Sequence, residues 1–123
     1  NLGMALVAEG KNEEAVSHYK MAIKFKPDYA DAYNNLGVVL FNAKMTEEAI
    51  DYYKEAIRIK PNFALAHNNL GNALVQKGEI KEAIDHYRET VRLKPDLVSA
   101  KKNLEMALLL NDKMEKLKSK SVP

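Results

Sequence analysis

The chain has 123 residues, 46% of them hydrophobic and 29% charged, which is the length and mixture of one folded domain and not of a disordered segment. Its 19 Lys+Arg against 17 Asp+Glu leave a net charge of +2, too small to point to nucleic acid as a partner. With no cysteine and no apolar run longer than five residues, a disulfide scaffold, thiol catalysis and a bilayer-spanning segment are excluded.

In chain order the same element recurs. Pro27, Pro61 and Pro95 stand 34 residues apart, as do Leu2, Leu36, Leu70 and Leu104. Gly3, Gly37 and Gly71, then Ala15, Ala49 and Ala83, then Tyr19, Tyr53 and Tyr87 keep the same interval. Asn1, Asn35, Asn69 and Asn103 form a further series. A period of this length marks an array of small units that stack to bury their apolar faces. The first unit, 1–29, lacks its opening residues. The next two occupy 30–63 and 64–97.

Each unit reads as two helices. In the second, Ala32, Tyr33, Leu36, Val39 and Leu40 recur at helical spacing, a break follows near 42–46, and Ala49, Ile50, Tyr53, Ala56 and Ile57 carry the second helix. Asp28, Asn62 and Asp96 are placed to cap the helix after each proline, and Asn12 and Thr46 to cap the second helices. Lys26, Lys60 and Lys94 suit the negative pole at each helix end, where the next proline stops the helix. Gly37 and Ala49 are small where the two helices of a unit touch. After the third unit, 98–118 reads as one capping helix. Its stripe of Ala100, Leu104, Ala107, Leu108, Met114 and Leu117 should cover the end of the array. Residues 119–123 should fray.

The pattern aromatic-x-x-Leu-Gly-x-x-Tyr, then Ala-x-x-x-Phe, then Pro, on a 34-residue period, is that of the tetratricopeptide repeat, which this chain resembles, with Leu40 and Leu74 at the Tyr position and Tyr53 and Tyr87 at the Phe position. The second unit carries Tyr33, Leu36, Gly37, Leu40, Ala49, Tyr53, Ala56 and Pro61. The third carries His67, Leu70, Gly71, Leu74, Ala83, Tyr87 and Pro95, with Thr90 for the usual Ala. The first keeps Leu2, Gly3, Leu6, Ala15, Tyr19, Ala22 and Pro27. The fourth departs, with Lys101 for the aromatic and Glu105 for the glycine. The resemblance implies an all-α, right-handed superhelix of antiparallel helix pairs whose first helices line a concave groove.

No phosphate loop, dinucleotide fingerprint, hydrolase elbow or zinc-protease motif is present. His18 and His86 hold one repeat position two units apart, too far to share a metal, and His67 replaces an aromatic, so it reads as a packing residue. No cofactor and no metal are expected. The carboxylates read as helix starts and solvated faces, so the expected class is a non-enzymatic scaffold that binds a protein or an extended peptide. The expected groove residues are Asn34, Asn35, Val38, Phe41, Asn68, Asn69, Asn72, Val75, Lys102 and Asn103, with Asn1 and Met4 from the first unit. Asn is a poor helix former, so three within five residues call for a reason. Two uses stay open: bonds that hold the stack together, or bonds to the backbone of a bound peptide, for which an amide offers both donor and acceptor. On the second use, Asn69→Ala would weaken peptide binding and leave folding intact.

The Asn series resembles the asparagine ladder in the repeat superhelix of O-linked N-acetylglucosamine transferases, whose catalytic part is absent here. Chaperone-binding members clamp a C-terminal carboxylate with basic groove residues; here those positions hold Asn34, Val38, Leu65 and Asn69, and Lys102 alone is basic. The alternatives are the targeting arm of a larger enzyme, and self-association through the incomplete first unit. RNA binding would need a basic groove. The chain opens at Asn1 with neither Met nor a signal pattern and reads as a fragment; no membrane insertion is expected, and the default compartment is cytoplasmic.

Overall fold

The computed structural model describes residues 2–121, with side chains described for 10–120. Among the described residues six helices follow in order: α1 (Leu2–Phe25), α2 (Ala30–Asn42), α3 (Thr46–Ile59), α4 (Ala64–Lys77), α5 (Ile80–Leu93) and α6 (Val98–Ser121). There is no strand among the described residues. Each helix packs on the next, and α2 with α3 and α4 with α5 form the two hairpins.

The turn within each hairpin is closed by backbone bonds. Met45 N–H reaches Leu40 O at 2.9 Å and Lys44 N–H reaches Phe41 O at 3.0 Å; Glu79 N–H reaches Leu74 O at 2.8 Å and Gly78 N–H reaches Val75 O at 3.0 Å. This pairing satisfies the last helical carbonyls and requires a left-handed residue between them. Gly78 takes φ 93° there at no steric cost, and Lys44 takes φ 68°. Between units, the proline sits one residue into a tight turn: Phe63 N–H bonds Lys60 O at 3.1 Å and Leu97 N–H bonds Lys94 O at 3.0 Å. Lys60 Nζ lies 4.7 Å from the centre of the Phe63 ring, which clamps that turn from outside.

The hairpins pack through a glycine and a tyrosine. A Cβ at Gly37 would stand 2.5 Å from Tyr53 Cε1, and one at Gly71 would stand 2.6 Å from Tyr87 Cε1. The glycine therefore lets a whole ring lie against the helix backbone. Tyr53, Ala49, Ala56, Leu36 and Leu70 are all at most 1% exposed. Burial pushes both tyrosine hydroxyls up to about 12, so they stay neutral donors.

Three expectations need correction. Asp28 and Asn62 lie inside the inter-unit turns; the residues flanking α2 and α4 are Tyr29 and Phe63, and no side chain caps either helix. The turn completes one residue after the Asx, so the helix starts past its reach. Thr46 is the first residue of α3 and Met45 precedes it. Asn12 caps nothing, because α1 runs unbroken through it. Gly37 does sit where the two helices of its unit touch, and its close neighbour there is the Tyr53 ring.

The two end helices are each 24 residues long and straight through the place where the inner units turn. In α6 the reason is legible. Glu105 replaces the glycine, and Ser121 stands where a tyrosine would close the hairpin, so nothing could fold back. The helix runs to Ser121, past the expected end at 118. Of its stripe, Ala100 and Ala107 are buried and Leu104 half-buried, but Leu108, Met114 and Leu117 are 39%, 39% and 66% exposed. Leu110 packs on the core in their place.

Candidate functional site

Helix α2 packs on α4, and α4 on α6, whereas the backbones of α3 and α5 stay apart and are linked by the surface ion pair of Lys54 with Glu82. The array therefore bends toward its first helices, and their shared outer strip becomes the inner face. Along that strip Asn35, Leu65 and Lys102 are exposed, while Val38, Phe41, Asn68, Asn69, Asn72, Val75 and Asn103 are half-buried. Asn34 is 6% exposed and faces the neighbouring helix instead of solvent. Asn1 lies outside the described residues, as does the side chain of Met4.

The amides form a series of inter-unit bonds. Asn69 Nδ2–H donates to Asn34 Oδ1 at 3.0 Å, and Asn103 Nδ2–H donates to Asn68 Oδ1 at 3.1 Å. Both span 35 residues, one repeat plus one position. Each tie links one first helix to the next and fixes the bend. It uses one N–H of the donor amide, so Asn69 and Asn103 keep a second N–H and their carbonyls for another partner. Among the described residues Asn35 makes no such bond.

The strip is indented between α4 and α6. A pocket of about 200 Å³ is lined by Asn72, Val75, Tyr87, Asn103, Met106, Ala107 and Leu110. Three expected groove residues, Asn72, Val75 and Asn103, thus converge on one hollow. Tyr87 O–H donates to Asn72 Oδ1 at 2.6 Å and fixes that amide, which leaves its N–H₂ group out of this bond. The floor is apolar and the rim carries amides. Between α2 and α4 the larger Phe41 ring stands at the place of Val75. A wider cleft, about 550 Å³, opens between α1 and the α2–α3 turn, beside Glu13, Ala43 and Glu48. One unit further on, the equivalent positions are bridged by Lys77 with Glu47 at 3.1 Å and Lys54 with Glu82 at 3.7 Å.

One polar cluster was not legible as such. His67 is 7% exposed, and its Nδ1 lies 3.0 Å from His86 Nδ1 with the rings stacked at 5.3 Å. His67 Nε2 lies 2.8 Å from Pro61 O. A carbonyl only accepts, so Nε2 carries the His67 proton, its Nδ1 accepts, and His86 Nδ1–H donates. His86 Nε2 is left facing Glu82 at 3.9 Å. Burial, then the His67 ring, hold His86 below the ordinary histidine value. The pair stitches α4 to α5 and lies away from the amide strip. Its sequence signal was a histidine in an aromatic position with a second one 19 residues later. Among the described residues, no three His, Asp or Glu groups gather to hold a metal.

The repeat models for the tetratricopeptide repeat match residues 30–63 and 64–97, and a second TPR repeat model matches 3–43. The chain belongs to the tetratricopeptide repeat family, and its fold is the all-α solenoid of that family. The first TPR of Spaghetti (RPAP3), solved bound to the HSP90 peptide SRMEEVD, is similar at a TM-score of 0.81 and 20% identity, over 89% of this chain and 87% of that one. The second TPR domain of human RPAP3, in complex with the HSP70 peptide SGPTIEEVD, gives 0.75 and 24%, over 85% and 88%. MamA gives 0.78 and 27%, over 90% of this chain and 65% of that one. No curated protein matches the chain.

Proposed function

We propose that the inner face of α2, α4 and α6 binds an extended peptide, and that the chain is a non-enzymatic interaction module. The observation that carries this reading is the hollow between α4 and α6, where Asn72, Asn103 and Val75 meet around an apolar floor. The remaining amide groups of Asn69 and Asn103 extend the polar rim in both directions. Two similar solenoids were solved with peptides ending in EEVD, which supports peptide capture on this scaffold. The groove chemistry differs from what an acidic terminus needs. Asp31 and Lys102 are its charged residues, and Lys102 is the single cation, so a neutral backbone suits it better than a clustered carboxylate.

The test uses two labelled peptides and fluorescence anisotropy: an end-capped alternating Val-Ser peptide, and SRMEEVD with a free carboxylate. The capped peptide should bind in the range of about 10–100 μM, as backbone bonding with one shallow pocket allows. Val75→Asp places a charge on the apolar floor and should weaken it at least about tenfold. The reading is refuted if the capped peptide shows no saturable binding at about 1 mM, or if Val75→Asp leaves its affinity unchanged. Tighter binding of SRMEEVD would replace it with a carboxylate-directed site.

A further inference from the structure

The chain builds the cleft beside the α2–α3 turn twice and fills it once. The equivalent elements meet one repeat later, where α3 packs on α4 near the turn into α5. There Lys77 Nζ lies 3.1 Å from Glu47, and Lys54 Nζ lies 3.7 Å from Glu82. The apolar residues of that inner site, Ile50, Ala73 and Leu74, are at most 3% exposed. In the first cleft both carboxylates recur, as Glu13 and Glu48, and one ammonium recurs, as Lys20. The other ammonium is missing, because Ala43 stands in the place of Lys77. Val16 and Val39, the counterparts of Ile50 and Ala73, stay half-buried, and a hollow of about 550 Å³ remains between the walls. Both walls are formed by residues 12–48, and side-chain size sets the gap: Ala43 for Lys77, Val16 for Ile50. Ser17 and Met45 replace Asp51 and Glu79, so the rim is more apolar than at the filled site. Among the described residues Glu13, Glu48 and Lys20 make no ion pair.

We propose that this cleft binds a lysine side chain of a partner protein, presented next to an apolar residue. The inner site is the template. The stem lies on Val16, Val39 and Leu40, and the ammonium bonds Glu13 as Lys77 bonds Glu47. Lysine suits a site of this build because its four-carbon stem buries on apolar surface while the charged head stays at the wet rim. The hollow is wider than one stem fills, so the neighbouring apolar residue packs against Met45, which is 42% exposed. An acidic side chain would be repelled by Glu13 and Glu48, and a neutral one would leave them without the cation that the inner site supplies. The cleft is separate from the amide strip. Val39 and Ala43 lie about 100–140° around α2 from Val38, so the two surfaces can be occupied together.

The experiment is an amide-resolved NMR titration with two end-capped probes, Gly-Leu-Lys-Leu-Gly and the same peptide with norleucine for lysine. The lysine peptide should shift the amide signals of Val16, Ser17, Ala43 and Met45 saturably, with a Kd of about 0.2–2 mM for one shallow contact. Norleucine keeps the stem and loses the ammonium, and should bind about two- to fivefold more weakly, the size of one exposed ion pair. Glu13→Gln should impose the same loss on the lysine peptide and none on the norleucine one. Ala43→Lys supplies the side chain found at the inner site and should abolish binding; Ala43 is exposed, so the fold tolerates it. The proposal is overturned if no saturable shift appears at about 10 mM peptide, if norleucine binds as well as lysine, or if Glu13→Gln or Ala43→Lys leaves the lysine peptide's affinity unchanged. It is also overturned if the shifts fall only on Asn72 and Asn103, which would return the peptide to the groove. Shifts of the cleft amides with protein concentration alone would give the cleft to a second copy of the chain and overturn it as well.

Discussion

Alanine placed at Asn35 and at Asn69 should move stability in opposite directions, although the two residues hold the same repeat position. Asn69 donates to Asn34, whose side chain is 6% exposed. Removing the donor leaves a buried carbonyl without a partner, which costs about 1–2 kcal/mol. Alanine is the better helix former and returns about 0.5–0.7 kcal/mol. The net for Asn69→Ala is a loss of about 0.3–1.5 kcal/mol, or roughly 1–6 °C in Tm for a domain of this length. This reverses the expectation that the change would leave folding intact. Asn35 is exposed and makes no bond among the described residues, so Asn35→Ala keeps only the helix gain, about 0.5 kcal/mol. Asn103→Ala should behave like Asn69→Ala but less strongly, because its acceptor Asn68 is half-buried and can turn to water. Thermal and urea melts followed by circular dichroism measure all three. Equal shifts at Asn35 and Asn69 would show that the inter-unit amide bonds contribute nothing, and that the strip is held by its apolar contacts alone.

Two further outcomes follow from the same packing. Gly71→Ala puts a Cβ 2.6 Å from Tyr87 Cε1, and that ring cannot yield freely because its hydroxyl is tied to Asn72; the melt should show a net loss of about 1–3 kcal/mol despite the higher helix propensity. His86 has its folded value depressed, so the unfolded chain binds more protons in that range and stability should fall as the pH drops through about 6.5 toward the lowered value. Melts between about pH 7.5 and 5.5 should show that slope in the parent and a shallower one in His86→Asn, and parallel slopes would mean that the pair is not desolvated in solution.

The features that were legible in the sequence are those that every unit must repeat. A glycine under a ring, two small residues at a helix crossing and a proline after the second helix each answer a constraint that recurs every 34 residues. Stacking therefore prints them at a fixed interval. The amide strip was legible for the same reason, since Asn35, Asn69 and Asn103 share a phase. What stayed hidden depends on a relation between two phases. The bond from Asn69 to Asn34 links one position to its neighbour in the preceding unit, and only the 35-residue offset encodes it. The histidine pair occurs in one unit alone, so no repetition marks it.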